Sequence, residues 1–181
     1  CTDWLDVKPV DRMSEDQLYS TEAGFRQALN GIYVELNHAD LYGDELLVNT
    51  VEILAQRYKF SSMGTLTNQY HLAEFDYTTD YAKKCGSRIW EKAYALIANV
   101  NKLLKNADSH KDLFTGDSYD LITGEAYALR AFLHFDLLRL FGPVYKTHKE
   151  DKSICYNTQF SLSGSDLLPA SKVMEYVIAD L

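Results

Sequence analysis

Residues 124–144, GEAYALRAFLHFDLLRLFGPV, decide the fold. Together with Leu121 just before them, they form the longest run of periodic apolar residues in the chain. Leu121, Ala128, Ala131, Phe135 and Leu138 recur at helical steps, which places them on one side of a helix. Leu129, Phe132, Leu133, Leu137 and Leu140 cover much of the remaining surface. A helix that is apolar on most of its circumference is expected to be buried on most of it. Gly142 is expected to close it in a left-handed cap, and Pro143 cannot continue it. A central helix with neighbours on several sides is therefore the element against which the rest is read.

The chain has 181 residues, 46% of them hydrophobic and 24% charged, which suits one soluble, domain-sized core. The formal net charge of −8 argues against a nucleic-acid binder, which needs Lys and Arg to displace counterions from phosphate. It also argues against adhesion to anionic lipid through a basic patch. No apolar run approaches the length needed to span a bilayer. Thirteen Tyr give many side chains with an apolar ring and a polar tip, suited to cores and to wet binding surfaces alike. Cys1 leaves two readings open at this point: an arbitrary start, or the lipid-carrying Cys of a bacterial lipoprotein. Cys85 and Cys155 have neither CxxC nor metal-ligand spacing, so free thiols are favoured, with a bridge between them left open. The five His show no HExxH or paired-ligand spacing, so no metal is expected. There is no phosphate-cradling Gly loop and no nucleophile elbow, and no cofactor is expected.

In chain order, residues 1–13 have no period and read as an extended arm whose Trp4 and Leu5 need a docking surface. Ser14 and Gln17 form a capping-box pattern. A helix starts at Thr21 or Glu22, with Phe25, Leu29, Ile32, Tyr33 and Leu36 as its stripe. Asn30-Gly31 lies inside that unbroken period and is helical; the cost of Gly31, about 1 kcal/mol relative to Ala, is expected to be offset by close approach of another helix. A turn at residues 38–43 leads to a second helix from Asp44, with Leu47, Val51 and Leu54 as its stripe. Residues 57–80 form a long irregular stretch, polar with aromatics interleaved, of the kind that is usually functional. Residues 81–108 are a long helix with Trp90, Tyr94, Ile97, Asn101 and Leu104 on one face. After a linker containing Gly116 comes the central helix, then an irregular stretch over 144–169, then a last helix over 170–181 with Val173, Tyr176, Val177 and Leu181. Strand signal is poor throughout, so the expected class is all-α. The last helix runs to the end of the sequence, as expected of the N-terminal portion of a longer protein.

Trp90 and Tyr94, followed by Ala131, Phe135 and Pro143, follow the order of the tetratricopeptide (TPR) pattern, with a longer linker than a tight repeat has. The expected architecture is a TPR-like helical-repeat scaffold with long irregular loops, its pairs stacked on Ala126, Ala128 and Ala131. A family resemblance then becomes specific. Its residues are Cys1 with Trp4-Leu5-Asp6-Val7 and Pro9, Ala28-Leu29-Asn30-Gly31-Ile32-Tyr33, Leu41-Tyr42-Gly43, and Trp90 with Tyr94, Ile97 and Asn101. Glu125-Ala126, Leu129-Arg130-Ala131, Phe135, Phe141-Gly142 and Asp180-Leu181 complete the set. In order and spacing the chain resembles the N-terminal part of SusD/RagB-family nutrient-binding outer-membrane lipoproteins. At residues 142–145 it departs from the Gly-x-Val/Ile-Pro form of many members.

The resemblance implies a non-enzymatic protein at the outer face of the Gram-negative outer membrane. Lipid on Cys1 would anchor it, with Asp3 and Asp6 similar to a surface-export signal. Its implied partners are an oligosaccharide or other nutrient and a SusC-like TonB-dependent transporter. The implied organisation is a lipidated arm over 1–13 and a helical domain over 14–181, cut short at its C-terminus. A protein-interaction scaffold without its own ligand site is the alternative.

A sugar site needs an aromatic platform against the apolar face of a pyranose, plus planar polar side chains for hydroxyl pairs. The stretch 57–80 holds both, and Arg57, Tyr58, Asn68, Tyr70, His71 and Tyr77 are the candidates; taken singly, each Tyr also reads as packing that stretch onto the body. Trp90, Tyr94, Arg130 and Phe135 are expected to be structural. Buried Arg130 should meet a carboxylate or helix C-terminal carbonyls. Arg139 should pair with Asp136. As a core side chain of the central helix, Phe135 should cost about 3–5 kcal/mol of stability when replaced by Ala.

Overall fold

The computed structural model describes residues 14–60, 64, 66–160 and 165–181. The arm over 1–13, with Cys1 and Trp4, lies outside the described residues. Ser14 and Gln17 make the expected capping box and start α1, Glu15–Leu18. Helix α2, Glu22–Leu36, is capped by Thr21, whose hydroxyl accepts from the Gly24 amide at 3.1 Å. Gly24 is required at this corner, because a Cβ there would lie 1.7 Å from the Leu18 carbonyl oxygen. The short helices α3, Thr50–Leu54, and α4, Thr67–Ala73, follow. Thr79 caps the long α5, Asp80–Ser109, by accepting from the Ala82 amide at 3.2 Å. A 3-10 turn over Lys111–Leu113 and Gly116 at φ +53° lead to α6, Ser118–Phe141. Helix α7, Tyr145–His148, and helix α8, Ala170–Asp180, complete the order. Among the described residues the β-type pairing is a single bridge between Lys152 and Pro169, so the class is all-α as expected.

The short connection makes α5 and α6 antiparallel neighbours. Helix α2 packs on both, and α8 packs on α6. Phe25, Ile97, Leu103, Ile122, Leu133, Leu137 and Val173 fill the core between these four helices. Each such side chain stabilises the fold by about 1.5–3 kcal/mol when fully buried. A smaller cluster of Ile53, Leu72, Ala73 and Ala82 joins α3 and α4 to the start of α5.

A buried polar network ties the α5–α6–α8 end together. Arg130 donates from Nε to Asp180 at 2.6 Å and from Nη2 to its other oxygen at 2.7 Å. Its Nη1 donates to Asn101 at 2.9 Å. His134, one turn on, is fully buried. Its Nδ1 lies 2.8 Å from the Arg130 carbonyl, and its Nε2 accepts from the Asn157 amide at 3.1 Å. These roles describe a neutral imidazole with its proton on Nδ1. Its ring stacks on Tyr156 at 3.8 Å. Tyr94 donates to the Cys155 carbonyl and Asn101 to that of Asn157, so the segment around 155–157 is stitched to α5 and α6. Cys155 and Cys85 are both free and buried.

The structure corrects several expectations. Helix α6 is not buried all round: Leu121, Ala128, Phe132 and Phe135 are exposed, and Phe135 is not core. The buried set includes Ile122, Ala126, Leu129, Arg130, Ala131, Leu133, His134, Leu137 and Leu138, because α2, α5 and α8 cover that side. Phe135 instead has the Arg139 guanidinium over its ring at 5.7 Å, and Arg139 pairs with Asp136 as expected. Ala128 is exposed, while Ala126 and Ala131 do sit in the core. Gly142 is at φ −84°, not left-handed; what it avoids is a Cβ 2.4 Å from the Leu138 carbonyl. Gly31 is exposed and nothing approaches it closely, so its helix cost has no local offset. The helix expected from Asp44 is only Thr50–Leu54. The Asp44 carbonyl instead gathers the amides of Leu47, Val48 and Asn49 in turns, leaving Leu47 exposed.

Burial holds His134 down from its ordinary 6.5 to about 4. Above pH 6.5 the ring is neutral folded or unfolded, so the stability it preserves is fully present there. Between pH 6.5 and 4 the unfolded chain takes up a proton that the folded chain refuses, and about 3 kcal/mol is lost over that window. Urea unfolding at pH 7, 5.5 and 4.5 should show this extra loss in the native protein and not in His134→Gln. Phe135→Ala should cost no more than about 1 kcal/mol, whereas Phe25→Ala should cost about 3–5. Paired thermal melts of the two variants check the reassignment.

Candidate functional site

The stretch after α3 is less irregular than its composition suggests, because α4 lies within it. Neither α3 nor α4 has a side-chain N-cap, and both are held by the Ile53–Leu72 cluster. Each ends in a non-glycine residue at φ 59°, Gln56 and Phe75. A left-handed conformation costs such residues about 1–2 kcal/mol. Gln56 offsets it by donating from its side chain to the Ala73 carbonyl at 2.7 Å, which joins the two helix ends. Asp76 accepts from the amide and hydroxyl of Thr78 at 3.0 and 2.6 Å, shaping the turn into α5. The Thr78 hydroxyl above all, then its amide, holds the Asp76 carboxyl below the usual range.

Between the α3–α4 unit and the α5–α6 pair lies a cleft of about 560 Å³. Leu54, Leu72 and Tyr77 line one side. Lys83, Ser87, Trp90 and Glu91 line the other, at spacings that share one face of α5. Leu140 and Phe141 close it from the end of α6. The Trp90 ring is fixed by Tyr94 at 4.8 Å and by Phe141 edge-on at 5.1 Å. Glu45, 3% exposed, sets the spacing between α3 and α5. It accepts from Thr50 and from Arg88, each at 2.5 Å, and from Asn49 at 3.2 Å. The cleft is mainly apolar with aromatic edges. Lys83 and Glu91 form no ion pair among the described residues, so their polar ends are available at the rim. Such a cleft suits a ligand with an apolar face and a polar circumference.

The six candidate residues do not form one constellation. Tyr77, 59% exposed, lies in the cleft. Tyr58 lies in a shallow depression of about 480 Å³ with Phe60, Leu66 and Gln69, its hydroxyl donating to the Val48 carbonyl at 2.7 Å. Arg57 is exposed and 4.0 Å from Glu52. Asn68 is exposed on α4. Tyr70 and His71 are half-buried, their rings edge to face at 5.9 Å, with His71 3.5 Å from Asp76. Trp90, read from sequence as structural only, also lines the cleft, and Lys83, Ser87 and Glu91 join it. Their shared helical face was visible in the sequence, but the partner surface that turns it into a cleft wall was not. Arg130 and Tyr94 sit in the buried network, where burial first, then Cys155, raises the Tyr94 hydroxyl above its usual range.

The helical pair thus carries an amphipathic cleft along its seam with α3 and α4. Residues 3–166 match the SusD-like family described as "Starch-binding associating with outer membrane". The chain belongs to that family. It is 26% identical to SusD-like protein P2 of Formosa agariphila over the whole of this chain, which spans 34% of that relative. It is also 26% identical to SusD-like protein P25 of the same organism, over 78% of this chain and 27% of that one. Among solved structures, a SusD superfamily protein from Bacteroides fragilis superposes with a TM-score of 0.74 at 17% identity, covering 90% of this chain and 38% of that one. One from Bacteroides thetaiotaomicron gives 0.67 at 20%, covering 88% and 36%. These two likenesses bear on the fold. The chain thus spans about a third of the length of the relatives it matches.

Glu45→Ala should lower stability by about 2 kcal/mol, since it strands the buried Thr50 hydroxyl and cuts the tie to Arg88. Hydrogen exchange should show faster opening of 50–54 with α6 unchanged.

Proposed function

We propose that this chain is the N-terminal helical part of a cell-surface lipoprotein that binds glycan and delivers oligosaccharide to a SusC-like TonB-dependent transporter. The cleft between α3–α4 and α5 carries the reading. It presents Tyr77 and Trp90 with polar groups at its rim, which is what the apolar face and hydroxyl edge of a pyranose need. Family membership supports the glycan class and the outer-membrane association. Arg57, Tyr58, Asn68, Tyr70 and His71 surround the same α3–α4 unit and extend the contact surface for a longer chain. The reading is non-enzymatic: hydrolysis of a glycosidic bond uses two carboxylates, and Glu91 is the single one lining this cleft among the described residues. Cys1 is the lipid anchor in this proposal, 1–13 the tether, and 14–181 the helical domain of a longer protein.

A second reading, an interaction scaffold without its own ligand site, rests on the exposed apolar face of α6 and its neighbour α2. Leu121, Phe132 and Phe135 are 58%, 45% and 37% exposed, and Tyr33 lies beside them, donating to Glu125 at 3.0 Å.

Isothermal titration with maltoheptaose and with a panel of plant and microbial oligosaccharides tests the choice. One glycan should bind, and Tyr77→Ala should weaken it at least tenfold with the melting temperature unchanged. Absence of binding across the panel, together with capture of the transporter, would favour the scaffold. Sustained release of reducing sugar would overturn the non-enzymatic reading. Cys1→Ser in the full-length protein should remove it from the cell surface, and surface retention would sink the anchor.

A further inference from the structure

The geometry points to a second ligand site, separate from the first, that takes a short saccharide bearing a carboxylate. It is a polar cleft of about 440 Å³ between the C-terminal half of α5 and the N-terminal half of α6. At about 1.5 Å of rise per residue, Lys105 lies about 27 Å along α5 from Ser87 of the first cleft. Asn101, Lys105 and Asp108 share one face of α5, and Tyr127 and Arg130 contribute from α6. Gln159 and Phe160 form the third side.

Three properties define the ligand. The first is shape. Tyr127 is 40% exposed and has the Arg130 guanidinium over its ring at 5.0 Å, while Phe160 is 43% exposed. Arg130 is locked by Asp180 and Asn101, so it supports the Tyr127 ring as a fixed wall. Asn101 also donates to the Asn157 carbonyl at 2.9 Å and lies 3.4 Å from that of Gln159, which positions the third side. The cleft is therefore built before any ligand arrives. The second property is polarity. The Tyr127 hydroxyl and the Lys105 ammonium make no hydrogen bond among the described residues and border a volume suited to one or two sugar rings. This lining does not suit an apolar polypeptide segment. The third is charge. Asp108 is paired with Lys111 at 2.7 Å, Arg130 with Asp180, and nearby Lys102 with Glu15 at 2.9 Å. Among the described residues Lys105 is thus the uncompensated charge of the cleft, a cation in a protein of net charge −8. A sugar ring against Tyr127 with its carboxylate on Lys105 satisfies all three.

The test is titration of the isotopically labelled 181-residue protein with sodium glucuronate and, separately, methyl glucoside, read by amide chemical shifts. Glucuronate should shift the amides of Lys105, Tyr127 and Gln159 saturably, with methyl glucoside at least fivefold weaker. Lys105→Ala should erase that preference. Tyr127→Ala should abolish binding, and Tyr127→Phe, which keeps the ring, should retain most of it; circular dichroism melts check that both fold. Tyr77→Ala should change nothing here. Equal binding of the two sugars, or unchanged binding in Lys105→Ala, overturns the carboxylate assignment. Absence of shifts around this cleft overturns the site. Shifts confined to the Tyr77–Trp90 cleft overturn it too, and leave the glycan-binding reading of that first cleft standing.

Discussion

The ion pair between Arg130 and Asp180 is the constraint on which the C-terminal half of the molecule depends. Both side chains are largely buried, at 7% and 11% exposure. Removing a guanidinium and a carboxylate from water costs several kcal/mol each, so such a pair survives only when both are fully bonded. Here the fork of Arg130 meets both Asp180 oxygens and its remaining nitrogen meets Asn101. The geometry admits one register of α8 against α6 and one rotation of α5. His134 extends the demand by one turn, since its Nε2 must find the Asn157 amide. The pair contributes little net energy of its own; it specifies an arrangement that apolar packing alone would leave degenerate.

That rigid end contrasts with the α3–α4 unit. There the helices are short, two residues adopt left-handed backbone without being glycine, and the separate cluster is small. One buried carboxylate, Glu45, joins it to α5 through Arg88, while Thr50 and Asn49 hold the same carboxylate from the α3 side. A stiff helical pair with a lightly attached unit beside it is the arrangement in which binding surfaces are commonly carried, because the scaffold fixes position while the attached unit supplies chemistry. The cleft that matters most lies along this seam, with Tyr77 from one body and Trp90 from the other.

The exposed apolar face of α6 belongs to the same picture. A helix of this composition normally hides its Phe and Leu residues, and here α2, α5 and α8 cover only part of it. The chain spans about a third of the relatives it matches.

Much of the fold was legible in the sequence, because helical periodicity and capping are local. Ser14 with Gln17, the α2 stripe of Phe25, Leu29 and Ile32, the length of α5 and the start of α8 all follow from residues within a turn or two of one another. What failed was any question about which surface meets which. Leu121, Ala128 and Phe135 recur as regularly as Ile122, Ala126 and Leu133, so an all-round apolar helix carries no preference for either face. Helix α4 was missed because it has no capping signal and is held by Leu72 and Ala73 packing on Ile53 and Ala82. Trp90 was legible as a stripe residue but not as a cleft wall, since the opposing wall comes from residues 50–77. The sequence by itself determined the long helices α2, α5, α6 and α8, their order and the family. Only the tertiary structure decided which face of α6 is buried, that Asp180 answers Arg130, and where the two clefts open, because each of those depends on contacts between residues tens of positions apart.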